Sequence, residues 1–260
     1  MENYKTIVAE LKDHVAILWL ARPKVHNALD DIMIREMIVF FTNIERNAEI
    51  RLIVIRGQGK SFCSGADLSW MKKAFSLTHE ENLKESKELS DLFGLIFNCN
   101  KIVIAAVHGN VFGGGNGLVA ACDLAYCVDD AKFSLSETRI GMAAASIAPY
   151  MLNKVRAADL KELIFSAKEF NGDEAVQCGL VNQSFASLEI MESYLNQIIE
   201  TMLANGKQAL IESKRLINCL TFQSMTKEIE KIPELLARIR VSSEAQEGFS
   251  AFLEKRKPNW

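Results

Sequence analysis

The 260-residue chain lacks the features that mark several large classes of protein. Its formal net charge is −3, so it has no excess of positive charge with which to bind nucleic acid. Its four histidines are scattered and form no group with metal-ligand spacing. No apolar run is long enough to span a membrane. These shortages argue against a nucleic-acid-binding protein, a metalloprotein and an integral membrane protein.

Close cysteine pairs and a leader segment are also missing. None of the six cysteines stands in a C-x-x-C arrangement, and most lie in apolar stretches, which is typical of buried thiols in a reducing compartment. The opening residues, MENYKTIVAE, contain no basic segment and no apolar core, so we expect no signal peptide and a cytoplasmic location. The length fits one domain, or one domain with a helical extension.

The most informative stretch runs from residue 101 to residue 141. Ile102 to Val107 is an unbroken apolar run rich in β-branched residues, which predicts a strand buried on both faces. The glycines Gly113 to Gly115 follow, and then a small-residue helix. A strand that leads through a glycine turn into a helix presents backbone N–H groups at the positive end of that helix. Glu137 follows a second apolar run, so the stretch combines N–H donors with a proton-transfer group.

A second stretch, from residue 51 to residue 71, has the same order. Leu52 to Ile55 predicts another buried strand, and the loop Ser64 to Asp67 leads into a helix start. If these two segments of strand, glycine loop and helix start lie side by side, an N–H group near Ala66 and one near Gly114 can face the same point. Two preorganised N–H donors on one oxygen form an oxyanion hole.

Two phosphate-binding motifs do not fit these glycines. The glycines after residue 108 lack the G-x-G-x-x-G spacing of a dinucleotide fingerprint. Gly59-Lys60-Ser61 would need a glycine at position 54 to form a phosphate loop, and Val54 stands there.

The same residues, with others in the same order, resemble the enoyl-CoA hydratase/isomerase (crotonase) superfamily. The matching pieces span nearly the whole chain: Arg22-Pro23, Asn27 to Leu29, Phe62 to Leu68, His108-Gly109, Gly113 to Gly115, Ser136-Glu137, Ile140-Gly141, Ala175, Gly179 to Val181 and Phe252 to Arg256. The resemblance implies an α/β fold with a crotonase-like ββα spiral core over residues 1–186. It also implies a C-terminal helical trimerisation region over residues 187–260, in a homotrimer or hexamer.

The activity implied by the resemblance is that of an enoyl-CoA hydratase, a lyase that adds water across the 2,3 double bond of a short or branched enoyl-CoA thioester. No metal and no cofactor are implied, because coenzyme A is part of the substrate. The segments SETRIGMAAASIAPY and ARIRVSSEAQEGFSAFLEKRKPNW look most like the bacterial branch that hydrates methylglutaconyl-CoA in leucine breakdown. Methylglutaconyl-CoA is therefore the leading substrate.

The resemblance also implies which residues form the site. Ala66 and Gly114 supply the two N–H donors, and Glu137 is the acid/base. The substrate-binding residues are Lys24, Val25, His26, Ser64, Ala66, Asp67, Leu68, Ser69, Gly113, Gly114, Phe252 and Lys255. From its place at the helix start we expect Asn116 to be a helix cap rather than a water ligand.

One position departs from the family pattern. Hydratases of this family usually use two glutamates, the first of them two residues after the glycine triplet, where this chain has Gly117. Either Glu137 carries out both proton transfers or another group supplies the first. The departure keeps three alternatives open: a Δ3,Δ2-enoyl-CoA isomerase with one glutamate, a thioester hydrolase, and a non-catalytic homologue that binds acyl-CoA or RNA. The acidic charge balance argues against RNA.

Overall fold

The computed structural model describes residues 4–74, 77–140 and 142–222, and the single positions 243, 247, 251, 254, 256 and 259. Phe252 and Lys255, both predicted to contact coenzyme A, lie outside the described residues, as does Gly141. The chain divides into two compact units, residues 1–195 and 196–260. The domain boundary expected after residue 186 stays a prediction.

Nine strands are formed by the described residues. They are β1 (Ile7–Lys12), β2 (Val15–Leu20), β3 (Leu52–Gly57), β4 (Ile102–Val107), β5 (Asn110–Phe112), β6 (Leu124–Val128), β7 (Lys132–Ser134), β8 (Glu169–Phe170) and β9 (Gln183–Phe185). Six of them make a sheet of order β1-β2-β3-β4-β6-β9, which is parallel except for the β1–β2 hairpin. A smaller sheet has the order β5-β7-β8.

The described residues also form nine helices. They are α1 (Asp31–Ile44), α2 (Leu68–Ala74), α3 (His79–Asn98), α4 (Gly114–Ala121), α5 (Ala148–Lys154), α6 (Ala157–Ser166), α7 (Gly172–Gln177), α8 (Leu188–Ala204) and α9 (Lys207–Phe222), with 3₁₀ turns at Pro23–Val25 and Glu137–Ile140. None of these helices is both long enough and apolar enough to cross a membrane. The α/β class predicted for the chain is confirmed.

The large sheet carries the core of the first unit. All six residues of β4 are buried, as its unbroken apolar run predicts for a parallel strand covered on both faces. β3 is its parallel neighbour, with Leu52 opposite Ile102. Since parallel strands end at the same edge of a sheet, the loop after β3 and the turn after β4 emerge side by side.

Where helix α4 begins differs from the sequence-based expectation. The glycine triplet was predicted to be a turn that precedes the helix, but the helix already starts at Gly114, and Gly113 is its N-cap with φ of 47°. The three-residue strand β5 was not predicted, because an alternating pattern cannot be recognised over so few residues.

Candidate active site

The loop after β3 holds Ala66 in a short parallel bridge with Leu29. The Leu29 N–H donates to the carbonyl of Gly65 at 2.7 Å, and the Asp67 N–H donates to the carbonyl of Leu29 at 2.8 Å. Successive backbone groups of an extended chain point in opposite directions, so the N–H of Ala66 turns away from Leu29. Ala66 is exposed, and its N–H donates to no acceptor in the described part of the chain. It is therefore available to a ligand.

The N–H of Gly114, in the turn after β5, is available in the same way as that of Ala66. Gly114 is the first residue of α4, and the first N–H groups of a helix have no acceptor within the helix. No acceptor for the Gly114 N–H occurs among the residues that the structure describes. The positive end of the helix dipole adds to its attraction for a negative charge.

The two loops touch directly. Cys63 N–H donates to Asn110 O at 3.1 Å, and Phe112 N–H donates to Cys63 O at 3.0 Å. Further along, a Cβ atom at Gly65 would lie only 2.9 Å from Phe112 O and 3.7 Å from Gly113 Cα. Ala66 and Gly114 each follow one of these touching glycines. The two segments thus lie side by side as expected, and the two predicted donors are on adjacent loops.

Glu137 borders the same turn. A Cβ atom at Gly113 would lie 3.4 Å from Oε1 of Glu137. The other carboxylate oxygen, Oε2, is buried and has no hydrogen-bond partner in the described part of the chain. Burial raises the pKa of the Glu137 carboxyl above its ordinary value, and a hydrogen bond from its own backbone N–H opposes this only in part. A half-buried carboxyl with a raised pKa and an unused oxygen is suited to proton transfer.

The backbone around Glu137 is anchored to its surroundings. Its carbonyl accepts the Met142 N–H at 3.0 Å. The hydroxyl of Thr138 donates to Ile164 O at 3.0 Å, and the Arg139 guanidinium donates to Ala167 O at 2.5 Å. Contacts to α6 and to the residue that ends it therefore hold the 3₁₀ turn that presents the carboxylate.

Asn116 is not a helix cap, which corrects the expectation from sequence. The N-cap of α4 is Gly113, and it makes no side-chain capping bond. Asn116 is buried instead, and its Nδ2 donates to Val111 O at 3.1 Å and to Ser134 O at 2.8 Å. It lies within the first turn of the helix, and its side chain links the middle of β5 to the end of β7. Sequence alone could not show this, because both acceptors are backbone atoms of strands too short to predict.

Two neighbouring side chains leave no room for a side chain at Gly117. A Cβ atom at Gly117 would lie 2.5 Å from Cγ2 of Ile147 and 2.6 Å from Cζ of Phe93. Both neighbours are buried, Phe93 on α3 and Ile147 next to α5. No side chain fits at this position without movement of those two residues. The place that the family pattern reserves for a first glutamate is an apolar wall in this chain.

Most of the predicted substrate-binding residues lie in two connected segments, residues 24–26 and 64–69. Lys24, Val25 and His26 are exposed, and the carbonyl of His26 accepts the N–H of Ser64 at 3.0 Å. Leu68 and Ser69 are exposed at the start of α2. Lys24, Val25, His26 and Ser64 therefore border the loop that carries Ala66.

Asp67 and Arg22 have structural roles that the sequence did not indicate. Asp67 was assigned to substrate, but its carboxylate accepts N–H groups of α2 and contacts the Arg22 guanidinium at 2.9 Å. The predicted substrate contact of Asp67 stays a prediction. Arg22 received no function, and only the three-dimensional contact reveals its partner, 45 residues away. In the described residues no three His, Cys, Asp or Glu side chains form a group that could hold a metal ion.

The sequence is similar to those of known enoyl-CoA hydratases and isomerases. The sequence profile of the family described as enoyl-CoA hydratase/isomerase matches residues 10–260. Crotonyl-CoA hydratase from Syntrophomonas wolfei is 30% identical over 267 residues, which cover 99% of this chain and 98% of that protein. The mitochondrial Delta(3,5)-Delta(2,4)-dienoyl-CoA isomerase of Homo sapiens is 38% identical over 200 residues, which cover 73% of this chain and 61% of that protein.

A solved structure agrees as well. The crystal structure of an enoyl-CoA hydratase from Shewanella pealeana superposes with a TM-score of 0.93 at 32% identity, over 98% of this chain and 96% of that one. The chain belongs to the enoyl-CoA hydratase/isomerase family. The predicted family and its crotonase-like fold are thereby confirmed. Hydratases and isomerases both occur among the relatives, so membership alone does not select the reaction.

Proposed function

We propose that this protein is an enoyl-CoA hydratase that acts on a short or branched 2-enoyl-CoA thioester. The observation that carries the proposal is the contact of Glu137 with the glycine turn, with Oε2 of its carboxylate buried and unpartnered among the described residues. A thioester whose oxygen accepts the N–H groups of Ala66 and Gly114 would place its reacting carbons beside this carboxylate.

In the proposed reaction, Glu137 acts first as a base and then as an acid. The carboxylate takes a proton from water while the water oxygen bonds to C3. The electron pair of the 2,3 double bond moves to form an enolate, whose charge rests on the thioester oxygen. The two N–H donors stabilise that charge, and one such donor is worth about 3 to 4 kcal/mol. Glu137 then returns its proton to C2, which completes the addition of water.

A single carboxylate performs both transfers in this scheme. Gly117 cannot transfer a proton, and Phe93 and Ile147 occupy the space beside it. Two other carboxylates near the site in sequence are engaged elsewhere. Asp67 is bound to Arg22, and Asp123 accepts the N–H of Val103 at 2.7 Å. We therefore assign no second acid/base.

The preferred substrate, the assembly and the location extend the proposal. The likeness of the segments after Ser136 and after Ala237 to the branch described above supports methylglutaconyl-CoA as the substrate. Family membership supports a homotrimer or hexamer, and the free, mostly buried cysteines support a cytoplasmic location. The reaction as written uses no cofactor besides the coenzyme A of its substrate.

A Δ3,Δ2-enoyl-CoA isomerase is the second candidate, and the apolar wall at Gly117 favours it. Isomerisation needs no water: one carboxylate removes a proton from C2 and returns it to C4, while the double bond moves from carbon 3 to carbon 2. Glu137, with its raised pKa and an oxygen that has no partner among the described residues, is suited to that shuttle. The oxyanion donors would serve the same enolate in either reaction.

Product analysis with a panel of thioesters tests the proposal. The purified protein is incubated with crotonyl-CoA, methylglutaconyl-CoA and a 3-enoyl-CoA in oxygen-18 water, and the products are identified by mass spectrometry. A 3-hydroxyacyl-CoA that carries the heavy oxygen is the expected result. A 2-enoyl-CoA formed from the 3-enoyl substrate without hydration of either 2-enoyl substrate would assign the isomerase. Free coenzyme A would assign a hydrolase, and binding without any product would assign a non-catalytic homologue.

A further inference from the structure

The guanidinium of Arg22 joins two carboxylates that belong to different segments. Its Nη2 lies 2.9 Å from Oδ2 of Asp67 and 3.0 Å from Oδ2 of Asp30, and its Nη1 donates to Ala28 O at 2.5 Å. The exposed fractions of the three side chains are 20%, 10% and 15% for Arg22, Asp67 and Asp30. The pairs are partly shielded from water, so solvent screens them less than an ordinary surface ion pair.

Each of the two carboxylates also starts a helix. Asp30 accepts the Met33 N–H at 2.8 Å and caps α1. Asp67 accepts the Ser69 N–H at 2.8 Å and the Trp70 N–H at 3.3 Å at the start of α2. Burial alone would raise the pKa of the Asp67 carboxyl, but the hydrogen bonds from Ser69, Arg22 and Trp70 together hold it below its ordinary value. Asp67 is thus held as a carboxylate.

The contacts of Arg22 lie on both sides of the bridge that orients Ala66. Ala28 and Asp30 flank Leu29 on one segment, and Asp67 follows Ala66 on the other. The bridge itself has two backbone hydrogen bonds, from Leu29 to Gly65 and from Asp67 to Leu29. A planar guanidinium with donors in fixed directions can hold three such acceptors at once, which a flexible ammonium cannot do as well.

We propose that Arg22 is a positioning residue, which aims the N–H of Ala66 at the thioester oxygen by joining Asp30, Ala28 and Asp67 around the Leu29–Ala66 bridge. This rests on the proposed function of Ala66 as an oxyanion donor. Arg22 itself touches no reacting atom in this proposal and acts through the loop that it holds.

Replacement of Arg22 by methionine is the principal test. Methionine keeps much of the volume of the aliphatic part of the side chain but has no guanidinium. The hydrogen bonds that join the two segments are therefore lost. Because a displacement of about 1 Å can lower a rate about 10²-fold, we expect kcat for crotonyl-CoA to fall by about 10- to 100-fold while KM changes little. Arg22→Lys should recover only part of the lost kcat, since lysine restores the positive charge without the planar guanidinium.

Arg56 offers a matched control in the same unit. It is also an arginine that is mostly buried and paired with a carboxylate, since its Nη2 lies 2.7 Å from Oε2 of Glu192 and its guanidinium stacks 5.4 Å above the Trp19 ring. No predicted site residue is among these partners. Arg56→Met should lower stability without changing kcat, whereas a purely structural role of Arg22 would make the two variants behave alike.

A spectroscopic measurement separates this inference from the proposed function. Butyryl-CoA with a carbon-13 carbonyl is bound to each protein, and the carbonyl stretch is recorded by isotope-edited infrared spectroscopy. An oxyanion hole polarises the bound carbonyl and lowers its stretching frequency. We expect the shift to be large in the wild type and in Arg56→Met, and reduced in Arg22→Met.

The outcomes distinguish the two ideas. A full shift and normal kcat in folded Arg22→Met would overturn the role of Arg22 alone. The absence of a shift in the wild type would overturn the oxyanion hole and this inference with it. If Arg22→Met does not fold, Asp67→Asn takes its place, because asparagine still caps α2 but loses the ion pair with Arg22. A wild-type shift and kcat in that variant would equally overturn the proposal.

Discussion

Gly113 and Glu137 lie against each other, with the carboxylate Oε1 3.4 Å from the point that a Cβ atom of residue 113 would occupy. The absence of a side chain at Gly113 lets the Glu137 carboxylate approach the turn in which the next residue, Gly114, starts α4. The predicted proton-transfer group and a predicted oxyanion donor are thereby close together, although they come from different elements.

Glu137→Gln should abolish most of the turnover. Glutamine keeps the shape of the side chain but cannot accept a proton, so kcat for hydration should fall by about 10²- to 10⁴-fold, the usual contribution of a general acid–base. Binding should change little, because the oxyanion donors remain. Steady-state kinetics check this, with Glu162→Gln as the control, since Glu162 is an exposed carboxylate that is paired with Lys168 at 2.7 Å. Near-normal hydration by Glu137→Gln would place the base elsewhere.

The pH dependence of turnover should reflect the raised pKa of Glu137. Burial favours the protonated carboxyl, but the proposed reaction needs the carboxylate. We therefore expect kcat/KM for hydration to rise with pH and level off, with a midpoint above the ordinary glutamate value of about 4.3. An acid limb at or below that value would contradict the assignment.

The raised pKa of Glu137 should also make the free energy of unfolding fall with pH, whereas turnover rises. Since the folded protein holds this proton more tightly than the unfolded chain, the free energy of unfolding decreases as pH rises from the ordinary pKa to the raised one. Glu137→Gln should lose that part of the pH dependence and be relatively more stable above the raised pKa. Urea unfolding at several pH values measures both curves, and parallel curves would show that the carboxyl is not perturbed.

Gly114→Pro should remove one oxyanion donor with little harm to the helix. Residue 114 is the first of α4, where proline is favoured because that N–H has no partner within the helix. Loss of one donor lowers kcat by about 10²- to 10³-fold in comparable sites. Gly114→Ala is the control: it introduces the same Cβ, 3.1 Å from Cδ1 of Leu29, but keeps the N–H. Equal kcat in the two variants would remove Gly114 from the oxyanion hole.

Gly117→Glu should destabilise the fold rather than restore a second acid. Overpacking of a core usually costs about 1–3 kcal/mol, and here Phe93 and Ile147 must both move. Gly94→Ala on α3 is the control, because its Cβ would meet only the Tyr150 hydroxyl at 3.5 Å, and alanine favours a helix by about 1 kcal/mol. Thermal unfolding compares the two. A Gly117→Glu variant with unchanged stability and faster hydration would show that the wall is not what limits the site.

Several features could be predicted from the chain before any contact was known. The unbroken apolar run of β4 predicts its bounds, because a parallel strand covered on both faces has no polar side. The order of strand, glycine loop and helix start, found twice, predicts two backbone donors on adjacent loops. Glu137 could be selected by the family motif, which Asp123, Asp129 and Asp130 in the same stretch do not match.

Tertiary structure alone decided how these parts are held and what surrounds Gly117. The apolar wall at Gly117 depends on Phe93 of α3 and on Ile147, which precedes α5. The contact of Arg22 with Asp67, the residue after Ala66, joins positions 45 residues apart. Asn116 looked like a cap until its acceptors on β5 and β7 were known. Local patterns report which face of an element is apolar, because that repeats within a few residues. Contacts between distant segments leave no such periodic signal, so only the folded chain reveals them.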